Sequence, residues 1–229
     1  MNKGDAMNEL IPLSNGMLID SNGITRPPWA CANDLLREYY DTEWGREIYD
    51  EQAYFERLCL ESFQAGLSWE LILRRREILR KVFADFDPDH LAVFQETDVQ
   101  RVLKHPGMIR NERKIRAVIS NAQACVNLRT DADYPGGLEE LIRSCAPQDA
   151  RNKTETDARI TIYSHLDEVP TKSEESAALA KLLKKKGFSF VGPTSMYALL
   201  EAVGLIRYEI APGDPAVNAT RGQAEVAES

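Results

Sequence analysis

Apolar residues recur at helical spacing along most of the chain, and a capping residue stands before most of these runs. Asp50 precedes a stretch in which Phe55, Leu58 and Ser62 share one face beside Cys59 and Phe63. The pattern predicts a helix over 51–65 with Gly66 just beyond its end. Ser68 then caps a helix over 69–83, whose Leu71, Ile72, Ile78, Leu79 and Val82 alternate with Arg74, Arg75, Arg76 and Arg80. Further helices are predicted over 34–40 after Asn33, from Asp87-Pro88, from a capping box at Thr97-x-x-Gln100 to about His105, and up to Leu128 after Asn111. A helix of about eight residues follows the Tyr134–Gly137 loop, and one capped by Ser173 runs through Lys186. A last helix, opened by Gly192 and Pro193, carries Met196, Leu199, Leu200 and Val203. No β-branched run of period two stands out, so the predicted class is all-α. Residues 1–26, with turn signals at Asn15-Gly16 and Asn22-Gly23, read as an N-terminal arm. Residues 27–210 read as a single helical domain, with 147–172 polar and irregular, and 211–229 as a flexible tail.

Composition narrows the class without choosing a function. The chain has 229 residues, enough to bury a real core, and its 43% hydrophobic and 28% charged content is that of a globular protein. No apolar run approaches the roughly 20 residues of a membrane span, and Asp5 and Glu9 replace the basic start of a secretion signal, so a cytoplasmic protein is expected. Cys31, Cys59, Cys125 and Cys145 are widely spaced with no C-x-x-C or Cys/His cluster, so neither disulfide nor metal site is read from spacing. A net charge of −8 argues against a wholly basic nucleic-acid binder but leaves room for a local basic face. The α-helical arginines 74–80 fit a solvated face as well as a DNA contact. Arg110, Arg113, Lys114 and Arg116 cluster at a helix N-terminus, where they oppose the dipole unless an anion or solvent compensates.

Two stretches carry candidate chemistry. Leu60–Trp69, LESFQAGLSW, places an acid (Glu61), an amide (Gln64), a turn glycine (Gly66), an exposed-looking Leu67 and an indole (Trp69) around one tight turn. Together these could hold a flat, polar, π-rich ligand such as a nucleobase, although most Glu residues near helix ends are solvated and most Trp residues are core. Tyr39, Tyr40 and Trp44 are either packing or further walls of the same pocket. The second stretch, Gly187–Gly204, reads as a helix, a glycine-bracketed turn and a helix. Such a turn presents backbone N–H groups at a helix N-terminus, which suits a phosphate, or is an ordinary helical hairpin.

LESFQAGLSW, GMIRNERKIRAVISNA (Gly107–Ala122), LKKKGFSFVGPTSMY (Leu183–Tyr197) and YYDTEWG (Tyr39–Gly45) occur in the order and spacing of one family. From about Trp29 to Tyr208 the chain resembles the DNA-3-methyladenine glycosylase I family. The resemblance implies an all-α helix-hairpin-helix fold, and a monomer acting on double-stranded DNA that contains alkylated adenine is expected. It implies a monofunctional N-glycosylase that flips out and removes 3-methyladenine, without lyase activity and without a general-base Asp after the hairpin. Carried over by position, it assigns Glu61, Tyr39 and Trp69 to the base pocket. Gln64, Gly66 and Leu67 fall on the turn that fills the gap in the duplex, and Gly187, Gly192 and Thr194 on the hairpin that grips phosphates. The family pins its termini together with zinc through two Cys and two His. Here those positions hold Pro27, Tyr40, Glu209 and Gly213, so the resemblance implies a relative with no metal and no cofactor. The alternative is a non-catalytic DNA- or lesion-binding protein that keeps the fold.

Overall fold

The computed structural model describes residues 10–147 and 160–216. Nine α-helices are found among them, labelled α1 (Asp34–Thr42), α2 (Glu51–Gln64), α3 (Trp69–Val82), α4 (Pro88–Ala92), α5 (Glu96–Lys104), α6 (Glu112–Leu128), α7 (Gly137–Ser144), α8 (Glu174–Lys185) and α9 (Pro193–Ala202). The caps read from sequence are in place. Asn33, Asp50, Ser68, Asp87, Asn111 and Ser173 each accept a backbone N–H from the first turn of their helix, filling donors that the helix itself leaves open. The α5 start is a correction. Gln95, not Thr97, is the N-cap, and the box closes with Asp98, whose carboxylate accepts from the Gln95 N–H at 2.9 Å. The Thr97-x-x-Gln100 match is thus accidental, and Gln100 bonds Glu96 instead.

Helix α2 is the centre of the molecule. It carries a nearly continuous buried face and packs against α3, α6, α7 and α9, while α4 lies on α6 and α8 on α9. Leu58, Leu60 and Phe63 from α2 meet Ile115 and Val118 from α6, Leu138 and Leu141 from α7 and Leu199 and Leu200 from α9 in the main core. A smaller cluster of Leu36, Tyr39 and Leu73 joins α1 to α3, with Trp44 and Trp69 against it. Trp69 touches both clusters and so sits on the seam between them.

The arm and the tail depart from expectation. Residues 11–26 hold a small antiparallel sheet of β1 (Ile11–Pro12), β2 (Leu18–Ile19) and β3 (Thr25–Arg26), with Gly16 and Gly23 at positive φ in its two turns. Arg26 is buried and makes a two-pronged bond to Asp41 of α1 at 2.7 Å and a third bond to Asp20 at 2.8 Å. Within the stretch expected to be irregular, β4 (Thr161–Tyr163) pairs in parallel with β5 (Tyr208–Ile210). Residues 211–216 of the expected tail are tied back to the arm. The Asn15 amide donates to the Ala211 carbonyl at 2.7 Å, Ser14 N–H to Asp214 O at 2.8 Å, and Ala216 N–H to Pro12 O at 2.8 Å. The expectations of an arm over 1–9, an irregular stretch over 148–159 and a flexible tail over 217–229 fall outside the described residues. No helix among the described residues is long and apolar enough to cross a membrane.

Candidate active site

Glu61 lies in the last turn of α2, and Trp69 opens α3 after a four-residue connection. The connection is tight because Gly66 takes φ +79°, which costs a glycine little, and Leu67 N–H closes on Gln64 O at 2.6 Å. Open space surrounds a Cβ built on Gly66. Leu67, expected to be exposed, is half-buried and leans on the main core; its aliphatic side chain has apolar neighbours to cover it. Gln64 is half-buried at the end of α2. Lys114 of α6 holds this turn from below, donating at 2.6 Å to the carbonyls of both Phe63 and Ala65, two of the acceptors that the end of α2 leaves open. Of the basic cluster at the start of α6, left open between an anion and solvent, Lys114 is thus taken by the turn and Arg116 by Glu96 and Glu112. Arg113 lies over the Phe190 ring at 6.0 Å.

Tyr39, from α1, meets Trp69 with ring centroids 5.3 Å apart and planes tilted by 57°. Glu61 Oε2, the Tyr39 hydroxyl and Trp69 Nε1 each form no hydrogen bond among the described residues, although each is shut off from solvent, and the Glu61 charge acts on the Tyr39 hydroxyl. Glu61 is 4% exposed and Tyr39 3%. Burial pushes the Glu61 carboxyl up to about 8, against a lowering by the nearby Arg57 guanidinium and a further rise from Glu201. Burial likewise raises the Tyr39 hydroxyl and keeps it neutral. Unsatisfied buried polar atoms cost roughly 1–3 kcal/mol each, so Glu61, Tyr39 and Trp69 are candidates for a ligand that completes them. Of the side chains expected in one pocket, Tyr39 and Trp69 are in ring contact and the Glu61 charge acts on Tyr39, whereas Tyr40 stacks on Trp44 at 5.2 Å.

The hairpin stands between α8 and α9. Gly187 at φ +98° ends α8, with Phe188 N–H returning to Leu183 O at 2.9 Å. Gly192 caps α9 and Thr194 is exposed in its first turn, so the free N–H groups of a ten-residue helix open on the surface. A residue missed in the sequence reading secures the turn. Asn121 of α6 accepts from Ser189 N–H at 2.8 Å and donates to Ser189 O at 3.2 Å, and Phe190 is held at φ +57°. An Asn buried in an otherwise apolar helical stripe was the available signal. Of the α3 arginines, Arg76 and Arg80 are committed to Glu43 and Glu56, and Arg74 pairs with Glu70.

The four positions that would hold zinc do not fit it. Pro27 and Gly213 carry no donor side chain, and Tyr40 is stacked between rings. A Cβ at 213 would come within 2.9 Å of the Asn15 backbone nitrogen, so no ligand side chain enters there without moving the arm. No three His, Cys, Asp or Glu side chains are grouped around a possible metal position among the described residues.

The methyladenine glycosylase family model matches residues 29–211. The DNA-3-methyladenine glycosylase of Haemophilus influenzae is 36% identical over 182 residues, covering 80% of this chain and 92% of its own. DNA-3-methyladenine glycosylase 1 of Escherichia coli K12 is 38% identical over 178 residues, covering 78% and 89%. A crystal structure of 3-methyladenine DNA glycosylase I superposes with a TM-score of 0.66 at 39% identity, over 76% of this chain and 90% of that one. A Staphylococcus aureus structure described as the basis of 3-methyladenine recognition does so at 0.66 and 29%, over 77% and 87%. Matched by the family model from residue 29 to 211 and 36% and 38% identical to these two relatives over most of its length, the chain belongs to the methyladenine glycosylase family.

Proposed function

We propose that the protein is a monofunctional DNA N-glycosylase that flips 3-methyladenine out of double-stranded DNA and hydrolyses its glycosidic bond. The observation that carries this reading is that Glu61 Oε2, the Tyr39 hydroxyl and Trp69 Nε1 are buried and unpartnered, with the Tyr39 and Trp69 rings in contact and the Glu61 charge acting on Tyr39. The relatives' names supply the substrate. A 3-methylated adenine in DNA is cationic. When the C1′–N9 bond breaks, its electron pair passes to the ring, the base leaves neutral, and water completes the sugar at C1′. The protein's task is to hold the extruded base and oppose the positive charge building on the sugar. Glu61 suits it: the cationic base supplies the partner that burial has withheld, and the carboxylate forms a charge-assisted hydrogen bond. Neutral adenine offers no such charge, so entering the pocket would leave Glu61 either protonated or ionised without compensation. Selection for a cationic base follows from that difference.

Tyr39 and Trp69 supply the stacking faces in this reading, and Gln64, Gly66 and Leu67 occupy the space the base vacates. Gly187, Gly192 and Thr194 take the phosphate backbone, and no metal or other cofactor takes part. The protein acts as a cytoplasmic monomer. The test is incubation with methylated duplex DNA and chromatographic identification of the released bases. Free 3-methyladenine with no strand cleavage is expected. Tight binding to the lesion with no base released would favour the non-catalytic alternative.

A further inference from the structure

Against the Tyr39 ring lies a buried ionic cluster that the roles above leave unused. The Arg57 guanidinium sits 5.3 Å from the ring centroid. Its Nη2 donates to Glu43 Oε2 at 2.5 Å, and Glu43 also accepts from Arg76 Nη1 at 2.7 Å. Arg76 Nε continues to Glu56 at 2.8 Å, which receives Arg80 Nε at 2.8 Å. Arginines and glutamates therefore alternate from the end of α1 across α2 to α3. Two details separate Arg57 from a structural ion pair. It is 7% exposed, yet its Nη1 has no partner among the described residues, a costly state for a charged donor. It also stands four residues before Glu61 on α2, the spacing that puts two side chains on neighbouring turns of one helix face.

We propose that Arg57 is a positioning residue for base excision: anchored by Glu43, it fixes the plane of the Tyr39 ring and supplies the fixed positive charge against which the Glu61 carboxylate is held. The proposal rests on the reading of Glu61 as the carboxylate that meets the base. The surrounding groups leave this task to Arg57. Glu201 faces Glu61 from α9 and opposes its ionisation, as burial does. Tyr39 of α1 is held neutral. Lys114 of α6 is committed to two carbonyls, and Arg143 of α7 to Glu139 and Glu47. Trp69 of α3 brings no charge. Glu43, shared with Arg76, offsets part of the guanidinium charge that would otherwise repel a cationic base.

Two measurements test this together. Base release from duplex DNA containing 3-methyladenine is followed from about pH 6 to about pH 10 in wild type, Arg57→Met, Arg57→Gln and Arg57→Lys, as kcat/KM, which reports groups of the free protein. In parallel, the Glu61 carboxyl carbon is titrated by NMR in DNA-free protein, its signal assigned by its loss in Glu61→Gln. Removing the charge with Met or Gln should move the Glu61 titration and the acid limb of kcat/KM upward by about one unit. That is about a tenfold loss at pH values below the limb, with the alkaline plateau largely kept. Arg57→Lys should keep the limb near its wild-type position and raise KM, because an ammonium cannot brace the ring as the planar fork does. A folded Arg57→Met or Arg57→Gln whose Glu61 titrates as in wild type, or whose activity falls equally at every pH, overturns the proposal and leaves Arg57 as packing. If wild type releases no base while the Glu61 titration still moves in these variants, the coupling stands and the excision reading falls.

Discussion

Glu61 costs the fold what it contributes to the site. The folded protein holds its proton up to about pH 8, whereas the unfolded chain releases it near the ordinary value of 4.5. The native state thus binds more protons than the unfolded one between those values, and stability should fall as pH rises through that window. Glu201, pushed up to about 7 by burial, adds to the decline over the lower part of it. Glu61→Gln should flatten the slope and leave the protein more stable than wild type at pH 8, by on the order of a few kcal/mol, in urea titrations at several pH values. The same change should slow release of 3-methyladenine while binding to undamaged DNA stays as it was; equal rates would remove Glu61 from the pocket. Trp69→Ala should cost stacking of about 1–3 kcal/mol, seen as a higher KM and a lower rate once circular dichroism shows the variant folded. Tyr39→Phe removes a hydroxyl that has no partner among the described residues, so it should cost less than either and leave the melting temperature near wild type. Wild-type kcat/KM should rise from pH 6 towards pH 8 as the carboxylate forms, and a flat profile would contradict that dependence.

The hairpin offers a clean test at the scale of the element. Gly192 has an ordinary φ of −85°, and a Cβ there would meet open space, so substitution should not disturb folding. Gly192→Val should nevertheless weaken binding to all DNA sequences alike, because it crowds the N–H groups that would face a phosphate. Gly187 differs: at φ +98° any other residue strains the backbone, so a loss there mixes folding with binding. What sequence revealed and what it hid divide along this same line. Caps such as Asp50 and Ser68 were legible because the capping side chain and the N–H it fills lie three residues apart. Gln95 was missed because a common motif two residues later competes with it in sequence and loses in space. Strands of two or three residues, such as β2 and β4, are too short to show a period, and their pairing is with distant chain. Glu61 and Trp69 were legible in one short stretch and the family resemblance joined Tyr39 to them, whereas Arg57, Glu43 and Asn121 act through partners 14 and 68 residues away that no local pattern specifies.

For the molecule as a whole, an acidic total does not forbid a DNA protein whose contacts are few and local. Affinity should drop steeply with added salt as phosphate contacts release counterions, and indifference to salt would rule out the phosphate-gripping role. Chelators should leave the melting temperature unchanged and elemental analysis should find no stoichiometric zinc, since a metal held only by the folded state would raise it. The segments around Asn15 and Ala211 are joined by hydrogen bonds, and Asn15→Ala should cost about 1–3 kcal/mol through the buried groups it strands. That clasp joins residues 196 positions apart, so its closure must await the helices between them. Closing so long a loop is entropically expensive until the intervening chain has already collapsed, which puts the clasp after the transition state for folding. Asn15→Ala should therefore leave the refolding rate nearly unchanged and speed unfolding by almost the whole of its stability loss. In a native protein the same seam is where the first opening should occur, with amide exchange at residues 13–17 and 208–216 outpacing that of α2.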